Sequence, residues 1–202
     1  MKWEESDSIV DQMIKGSTGE LWGHRLEQSN HYGLLKHVLD IAEIRGGLLD
    51  VGCGAGDVSR SWNEDYTGAD LGWIIEKVSK FCNPSKNYVS MDITKENISN
   101  LPHSRVVLMN AFLDVREDAH EIFEEILKIK SEKIIVHRQR LSQQNDRIEY
   151  QKSYGGSVIP SSIMSIEKIN NLLKSLFPNS NILIFHWQND YYTFIVSKNE
   201  IC

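Results

Sequence analysis

The sequence predicts an α/β protein: a doubly wound, mainly parallel seven-stranded sheet with helices on both faces and an antiparallel C-terminal hairpin strand. Short runs of β-forming apolar residues alternate with apolar stripes at helical spacing, which is typical of repeated strand–helix units. The first such run, 48–51, leads directly into a glycine-rich loop. The last two runs, 181–185 and 191–196, have no helix between them and predict the hairpin.

The elements between these landmarks follow in a simple order. A first helix is predicted from Leu34, Leu35, Val38, Leu39 and Ala42, and Gly46-Gly47 is expected to end it. The predicted parallel strands are 48–51, 66–69, 88–91, 105–109 and 133–137. Two later helices are predicted from the stripes Ala119, Ile122, Phe123, Ile126, Leu127 and Ile166, Ile169, Leu172, Leu173, Leu176. We expect one domain over 1–202, with 1–45 as an N-terminal helical cap.

Composition excludes several classes of function. The chain has 202 residues, 41% apolar and 25% charged, so it is long enough to bury a core without disulfide or metal staples. Its net charge of -6 argues against a nucleic-acid partner, which requires clustered Lys and Arg. With no apolar run long enough to span a bilayer and an acidic N-terminus, the expected location is cytoplasmic. Cys53, Cys82 and Cys202 are unpaired by spacing, so we predict reduced thiols and no metal site.

The segment LLDVGCGAGD, residues 48–57, carries the strongest functional signal. Gly52, Gly54 and Gly56 let the backbone turn sharply and bring its N–H groups against a ligand. A dinucleotide-binding loop of the form G-x-G-x-x-G would have its third glycine at 57, where the chain has Asp57. An acid there would repel a pyrophosphate, so the loop favours a ligand with a cationic or neutral group.

Residues 50–56, DVGCGAG, resemble the first motif of the class I S-adenosylmethionine-dependent methyltransferases. The segments Thr67 to Leu71, Ser90 to Ile93 and Val107 to Phe112 resemble the family's motifs at the ends of its second, third and fourth strands. The resemblance implies that Asp70 accepts hydrogen bonds from the ribose of S-adenosylmethionine. It further implies that Asp92 contacts the adenine amino group and that Ile93 packs on the ring.

The implied cofactor is therefore S-adenosylmethionine, with S-adenosylhomocysteine as its product. The cofactor-binding residues implied are Asp50, Gly52, Cys53, Gly54, Gly56, Asp70, Leu71, Asp92, Ile93, Asn110 and Ala111. Alternatives remain for some of them. Asp70 and Asp92 could be solvated loop acids or helix caps, and Cys53 could be a nucleophile, although packing is the better interpretation.

The absence of one family motif narrows the possible classes of methyl acceptor. Members of this family that methylate amide or exocyclic base nitrogens carry an Asn/Asp-Pro-Pro-aromatic motif, where this chain reads Asn110-Ala111-Phe112-Leu113. We therefore expect a small molecule, sugar or glycan, methylated at oxygen. His137 is the first candidate for a catalytic base, with Asp114 and the turn 186–190 as others; a histidine that merely ends a strand is the alternative. The loop 153–157 is a candidate lid, and Trp22, His24, Arg25, His31 and Tyr32 are candidates for acceptor selection.

Two other functions compete with methyl transfer. A catalytically silent cofactor-binding subunit would show binding without turnover. A nicotinamide-dependent oxidoreductase would use a similar glycine loop, but Asp57 disfavours it. The acceptor's identity and the oligomeric state are left open by the sequence.

Overall fold

A computed structural model describes residues 4–41, 43–153 and 156–198, and these form a nine-stranded sheet. The strands are β1 (Leu48–Val51), β2 (Tyr66–Asp70), β3 (Asn87–Ser90), β4 (Val106–Asn110), β5 (Lys133–Ser142), β6 (Arg147–Lys152), β7 (Val158–Ser165), β8 (Asn181–Gln188) and β9 (Tyr191–Ser197). The order β3-β2-β1-β4-β5 is parallel throughout. Antiparallel β9 continues it beside β5, and β8 pairs with β9. The fold class predicted from the sequence is confirmed.

Helices cover both faces of this sheet. They are α1 (Asp7–Thr18), α2 (Asn30–Ile41), α3 (Gly72–Ile74), which runs through a π-turn (Ile75–Ser79) into α4 (Lys80–Cys82), α5 (Ala119–Lys128) and α6 (Ile166–Leu176). Side chains of successive strand residues point to opposite faces. Leu49 and Val51 accordingly pack with α5 and α6, while Leu48 packs with α2. Phe123 of α5 meets Phe194 of β9 edge-to-face, at 5.4 Å between ring centroids.

The structure has two strands more than the seven predicted. β6 and β7 form an antiparallel hairpin, and the last residues of β7 pair in parallel with the end of β5, at 163–165 against 140–142. One edge of β5 is taken by β9, so β4 and then β7 share the other edge. The hairpin therefore lies beyond the carboxyl end of β4. The sequence prediction ended β5 at 137, whereas the strand continues to Ser142, and this extension is the part that pairs with β7.

The N-terminal segment divides into two parts. α1 lies beside the glycine loop, where the Ser17 hydroxyl donates to Asp57 at 2.5 Å. α2 packs its Leu35, Val38 and Leu39 against the sheet. This helix ends at Ile41, before Gly46, and Ala42 lies outside the described residues. The role of 1–45 as a cap stays a prediction.

In the part of the chain that the structure describes, no helix has the length and apolar character to cross a bilayer.

Candidate active site

The glycine loop turns through three left-handed residues. Gly52, Gly54 and Gly56 have φ of +73°, +52° and +74°, a region that side chains rarely allow. A Cβ at Gly52 would overlap the Phe112 ring, and one at Gly56 would lie 2.6 Å from the Tyr88 hydroxyl. At Gly54 the nearest atom would be the Met13 methyl group, 3.7 Å away. Two of the glycines thus permit close packing, whereas Gly54 faces open space.

Asp70 holds this loop in place from the carboxyl end of β2. One of its oxygens accepts the Gly54 N–H at 2.8 Å and the other accepts the Leu71 N–H at 2.7 Å. Burial raises the pKa of Asp70 to about 6, against the lowering effect of these two hydrogen bonds. An acid that is costly to ionise without a ligand fits a site where a ligand supplies further donors.

A first chamber of about 480 Å³ opens in front of these groups. Seven of the residues implied by the resemblance line it: Gly52, Gly54, Asp70, Leu71, Asp92, Ile93 and Ala111. Asp92 is exposed and Ile93 is buried, so an acid and an apolar side chain follow β3 on the same wall. The chamber thus combines two acids, a buried apolar side chain and the bare backbone of Gly54.

Asp50 is fully buried at the end of β1. Its Oδ2 accepts from the Tyr66 hydroxyl at 2.8 Å, and its Oδ1 has no hydrogen-bond partner among the described residues. Burial raises its pKa to about 7, and the Tyr66 hydrogen bond lowers it only in part. A buried carboxylate oxygen without a donor indicates a place for a ligand's cationic group.

A second chamber of about 960 Å³ adjoins the first. The two share Met13, Gly52, Gly54, Ala111 and Val115. Asp50, Cys53 and Asn110, also implied by the resemblance, line only the second. Gly56 lines neither and acts in the turn, where its N–H donates to the Cys53 carbonyl at 2.8 Å.

The wall of the second chamber comes from distant parts of the chain. The segment after α1 contributes Trp22 and His24, and α2 contributes Tyr32. The turn after β4 contributes Asp114, and β5 and β8 contribute Arg138 and Trp187. The β6–β7 hairpin adds Gln151, Lys152, Ser153 and Ile159. Asp114 is buried, and its Oδ1 has no hydrogen-bond partner among the described residues. Burial raises the pKa of Asp114 to about 6, and Arg138 lowers it only in part.

His137 lies apart from both chambers. Its ring is buried, its Nδ1 lies 2.7 Å from the Thr193 hydroxyl, and its centroid is 6.4 Å from that of Trp187. Neither chamber includes it among the described lining residues. A catalytic role for His137 stays a prediction.

Asp57 and Cys53 are two further residues of the loop. Asp57 lines the second chamber, but it pairs with Arg60 at 2.9 Å and accepts from Ser17, so its charge is compensated. Asp50, Asp70 and Asp114 line the chambers without an ion pair to a described residue. Cys53 is buried, and burial raises its thiol pKa well above the usual range, which agrees with packing and not with a nucleophile.

Sequence reasoning missed two contributions to the site. Met13 faces Gly54 from α1, and the β6–β7 hairpin covers the second chamber. Alternation of Ile148 and Tyr150 with polar residues was an available strand signal for β6. Of the proposed lid 153–157, Tyr154 and Gly155 lie outside the described residues, as does the side chain of His31.

No family model and no curated protein matches the chain. Solved structures do match in fold. CalS10, an amino pentose methyltransferase from Micromonospora echinaspora, solved with S-adenosylmethionine, is 8% identical over 98% of this chain and 100% of that chain, with a TM-score of 0.62. Magnesium protoporphyrin IX methyltransferase (ChlM) from Synechocystis PCC 6803, also with bound S-adenosylmethionine, is 12% identical over 98% and 100%, with a TM-score of 0.58.

A third structure is the N-terminal domain of EvdMO1 in the presence of S-adenosylhomocysteine and D-fucose. It is 10% identical over 87% of this chain and 85% of that chain, with a TM-score of 0.60. The chain therefore has the fold of the class I S-adenosylmethionine-dependent methyltransferases.

Proposed function

We propose that the protein is an enzyme that transfers the methyl group of S-adenosylmethionine to an oxygen atom of a small molecule, sugar or glycan. One observation carries this proposal: Asp70 and Asp92 end adjacent parallel strands and face the same chamber as the bare backbone of Gly54. The ends of parallel strands are where open α/β sheets bind ligands. The fold shared with the solved methyltransferases supports the same conclusion.

The first chamber fits the adenosine part of the donor. Asp70 would accept from the ribose hydroxyls while it retains the Gly54 N–H, because each carboxylate oxygen has two lone pairs. Asp92 would accept from the adenine amino group, and Ile93 would pack on the ring.

The amino-acid end of the donor fits the junction of the two chambers. Its ammonium group would satisfy the Oδ1 of Asp50, and Asn110 offers a second buried oxygen without a partner among the described residues. Its carboxylate would lie against the backbone of the glycine loop. When bound, the donor supplies a sulfonium methyl group, an electrophile that requires no metal or protein nucleophile.

Asp114 is our proposed proton acceptor. A hydroxyl acceptor must lose its proton as its oxygen takes the methyl group. Asp114 lines the second chamber, and its buried Oδ1 has no hydrogen-bond partner among the described residues. Its raised pKa of about 6 still leaves it ionised at neutral pH. His137 would need a change in its surroundings to reach an acceptor, so the geometry favours Asp114.

The second chamber would hold the acceptor. Its volume of about 960 Å³ is within the range of ligand pockets for drug-sized molecules. Aromatic and hydrogen-bonding side chains together suit a sugar or glycan, which presents both apolar ring faces and hydroxyls. The names of two similar structures mention an amino pentose and D-fucose, which supports the same acceptor class.

Titration calorimetry with S-adenosylmethionine and S-adenosylhomocysteine tests the donor site. We expect binding of both, and no binding at millimolar ligand would overturn the proposal. Transfer of a labelled methyl group across a panel of sugars, glycosides and hydroxylated metabolites then tests the reaction. Donor binding without transfer to any of them would favour a silent partner subunit, and binding of a nicotinamide cofactor would favour an oxidoreductase.

The role of Asp114 is tested once an acceptor is found. We expect Asp114→Asn to lower kcat by about 100-fold or more with unchanged affinity for S-adenosylhomocysteine. In the wild type, kcat should rise with pH through the pKa of the base. An Asp114→Asn variant with wild-type kcat would exclude this role, and the same substitution made in parallel with His137→Gln compares the two candidates.

A further inference from the structure

We propose that Arg138 forms an anion-binding subsite in the second chamber, so that the methyl acceptor carries a carboxylate or phosphate group. This proposal rests on the assignment of the second chamber as the acceptor site. The geometry of Arg138 itself does not depend on that assignment.

Arg138 is turned toward the chamber by a local irregularity of β5. Its φ is +60°, a left-handed conformation that is unfavourable for a residue with a side chain. The register between β5 and β9 shifts at the same place, between Val136 and Gln139. Such bulges re-aim a side chain and recur beside binding sites. Here the bulge lies just beyond His137, the last residue of β5 that pairs with β4.

The guanidinium of Arg138 is held by aromatic rings. Its central carbon lies 5.9 Å from the ring centroid of Trp187 and 5.7 Å from that of Tyr191. Stacking of this kind fixes the plane of a guanidinium while it leaves the N–H groups at the edge available. The aromatic contacts therefore orient the cation but do not satisfy its hydrogen-bond donors.

The hydrogen-bonding capacity of Arg138 is incompletely used. Among the described residues, its buried Nε has no hydrogen-bond partner, and no carboxylate forms an ion pair with its guanidinium. Arg140, two residues along the same strand, differs in this respect. It donates to Asp190 at 2.9 Å, to Glu149 at 2.7 Å and to Ser161 at 3.0 Å. Arg140 is a structural residue, whereas Arg138 retains donors for a ligand.

Asp114 does not supply the missing partner. It lines the same chamber, but its Oδ1 is also without a hydrogen bond in the described part of the chain. An acid and a cation that share a chamber without contact suggest a ligand that bridges them. Such a ligand would present oxyanion oxygens to Arg138, with two parallel hydrogen bonds, and a hydroxyl to Asp114.

The test measures anion binding directly. The protein is saturated with S-adenosylhomocysteine, and inorganic phosphate or acetate is titrated in separate arms, by calorimetry or NMR, at constant ionic strength set with chloride. The two arms distinguish a phosphate from a carboxylate. Arg138→Gln is compared with Lys174→Gln, a control that removes the same charge from an exposed lysine of α6 outside both chambers.

We expect at least one of the two anions to bind the wild type in the millimolar range. Arg138→Gln should weaken that binding by at least about tenfold, and Lys174→Gln should change it little. Affinity for S-adenosylhomocysteine should stay unchanged in both variants. No anion binding by the wild type, wild-type binding by Arg138→Gln, or an equal loss in Lys174→Gln would overturn the proposal.

Two further outcomes are also decisive. If Arg138→Gln fails to fold, Arg138→Lys replaces it, because lysine keeps the charge but lacks the planar guanidinium. Weaker anion binding by Arg138→Lys supports the subsite, and wild-type binding overturns it. If the wild type does not bind S-adenosylhomocysteine, the proposed function fails, and the same anion titrations on the unliganded protein still decide the role of Arg138.

Discussion

Replacing Asp70 with asparagine should make the protein more stable and at the same time weaken its binding of the donor. The amide has the shape of the neutral carboxyl group and keeps one oxygen to accept from Gly54 or Leu71. In the wild type, burial raises the pKa of Asp70 from 3.8 to about 6. The folded state therefore binds this proton more tightly than the unfolded state, and stability falls as pH rises from about 4 to about 6.

The size of the effect follows from the same pKa. A difference of two units corresponds to about 3 kcal/mol, which is lost in the wild type above the folded-state pKa and is not lost in Asp70→Asn. After a discount for partial exposure and for one weakened backbone hydrogen bond, we expect the variant to be about 1–2 kcal/mol more stable near pH 8. Near pH 4 Asp70 is protonated in the folded wild type and this advantage is absent, so the weakened backbone hydrogen bond should leave the variant slightly less stable than the wild type.

Donor binding should change in the opposite direction. The ribose hydroxyls lose a charged acceptor, which corresponds to about 1–3 kcal/mol, or roughly 5- to 150-fold in affinity. Urea unfolding at both pH values and calorimetry with S-adenosylhomocysteine measure the two effects. Asp65→Asn, an exposed acid before β2 and outside both chambers, is the matched control. Unchanged donor affinity in Asp70→Asn would refute the ribose assignment, and lower stability near pH 8 would refute the argument from burial.

Three further predictions concern the loop and the buried acids. Gly54→Val should abolish donor binding, and its left-handed backbone should lower the stability by about 1–2 kcal/mol, which titration and thermal melting of one sample measure. Gly52→Ala should lose more stability, because its Cβ would overlap the Phe112 ring. A folded Gly54→Val that binds the donor normally would disprove the role of this loop in donor binding. Burial also raises the pKa of Asp50 to about 7 and of Asp114 to about 6, so the stability of the unliganded protein should fall as pH rises from 4 to 7. Urea unfolding of the wild type, Asp50→Asn and Asp114→Asn over that pH range would detect this loss of stability. Tyr66→Phe removes the one hydrogen bond to Asp50 and should cost about 1–3 kcal/mol by urea unfolding at neutral pH, so an unchanged midpoint would show that this contact is not formed.

Local patterns in the sequence were sufficient to predict the part of the site that lies around β1, β2 and β3. The alternate glycines follow β1 directly, and Asp70 and Asp92 lie at or just after the ends of β2 and β3. Each of these residues is therefore close in sequence to the strand that positions it. Parallel pairing then brings Asp70 beside Ser90, next to Asp92, whatever the rest of the chain does. The helical spacing of apolar residues likewise predicted α5 and α6, because a helix that buries one face needs apolar residues along that face.

The surroundings of the second chamber, by contrast, depend on contacts between distant parts of the chain. The β6–β7 hairpin is held by pairing with the far end of β5, and Asp57 accepts from Ser17 of α1, 40 residues earlier in the chain, in addition to its pair with nearby Arg60. The long-range contacts leave no local pattern, and the contact of His137 with Thr193 of β9 is another of them. The same long-range packing places Asp114 and Arg138 in the second chamber. Each of them has one buried polar atom without a hydrogen-bond partner among the described residues. The sequence shows which residues are charged, whereas the groups that neutralise each charge depend on which distant residues the fold brings into contact with it.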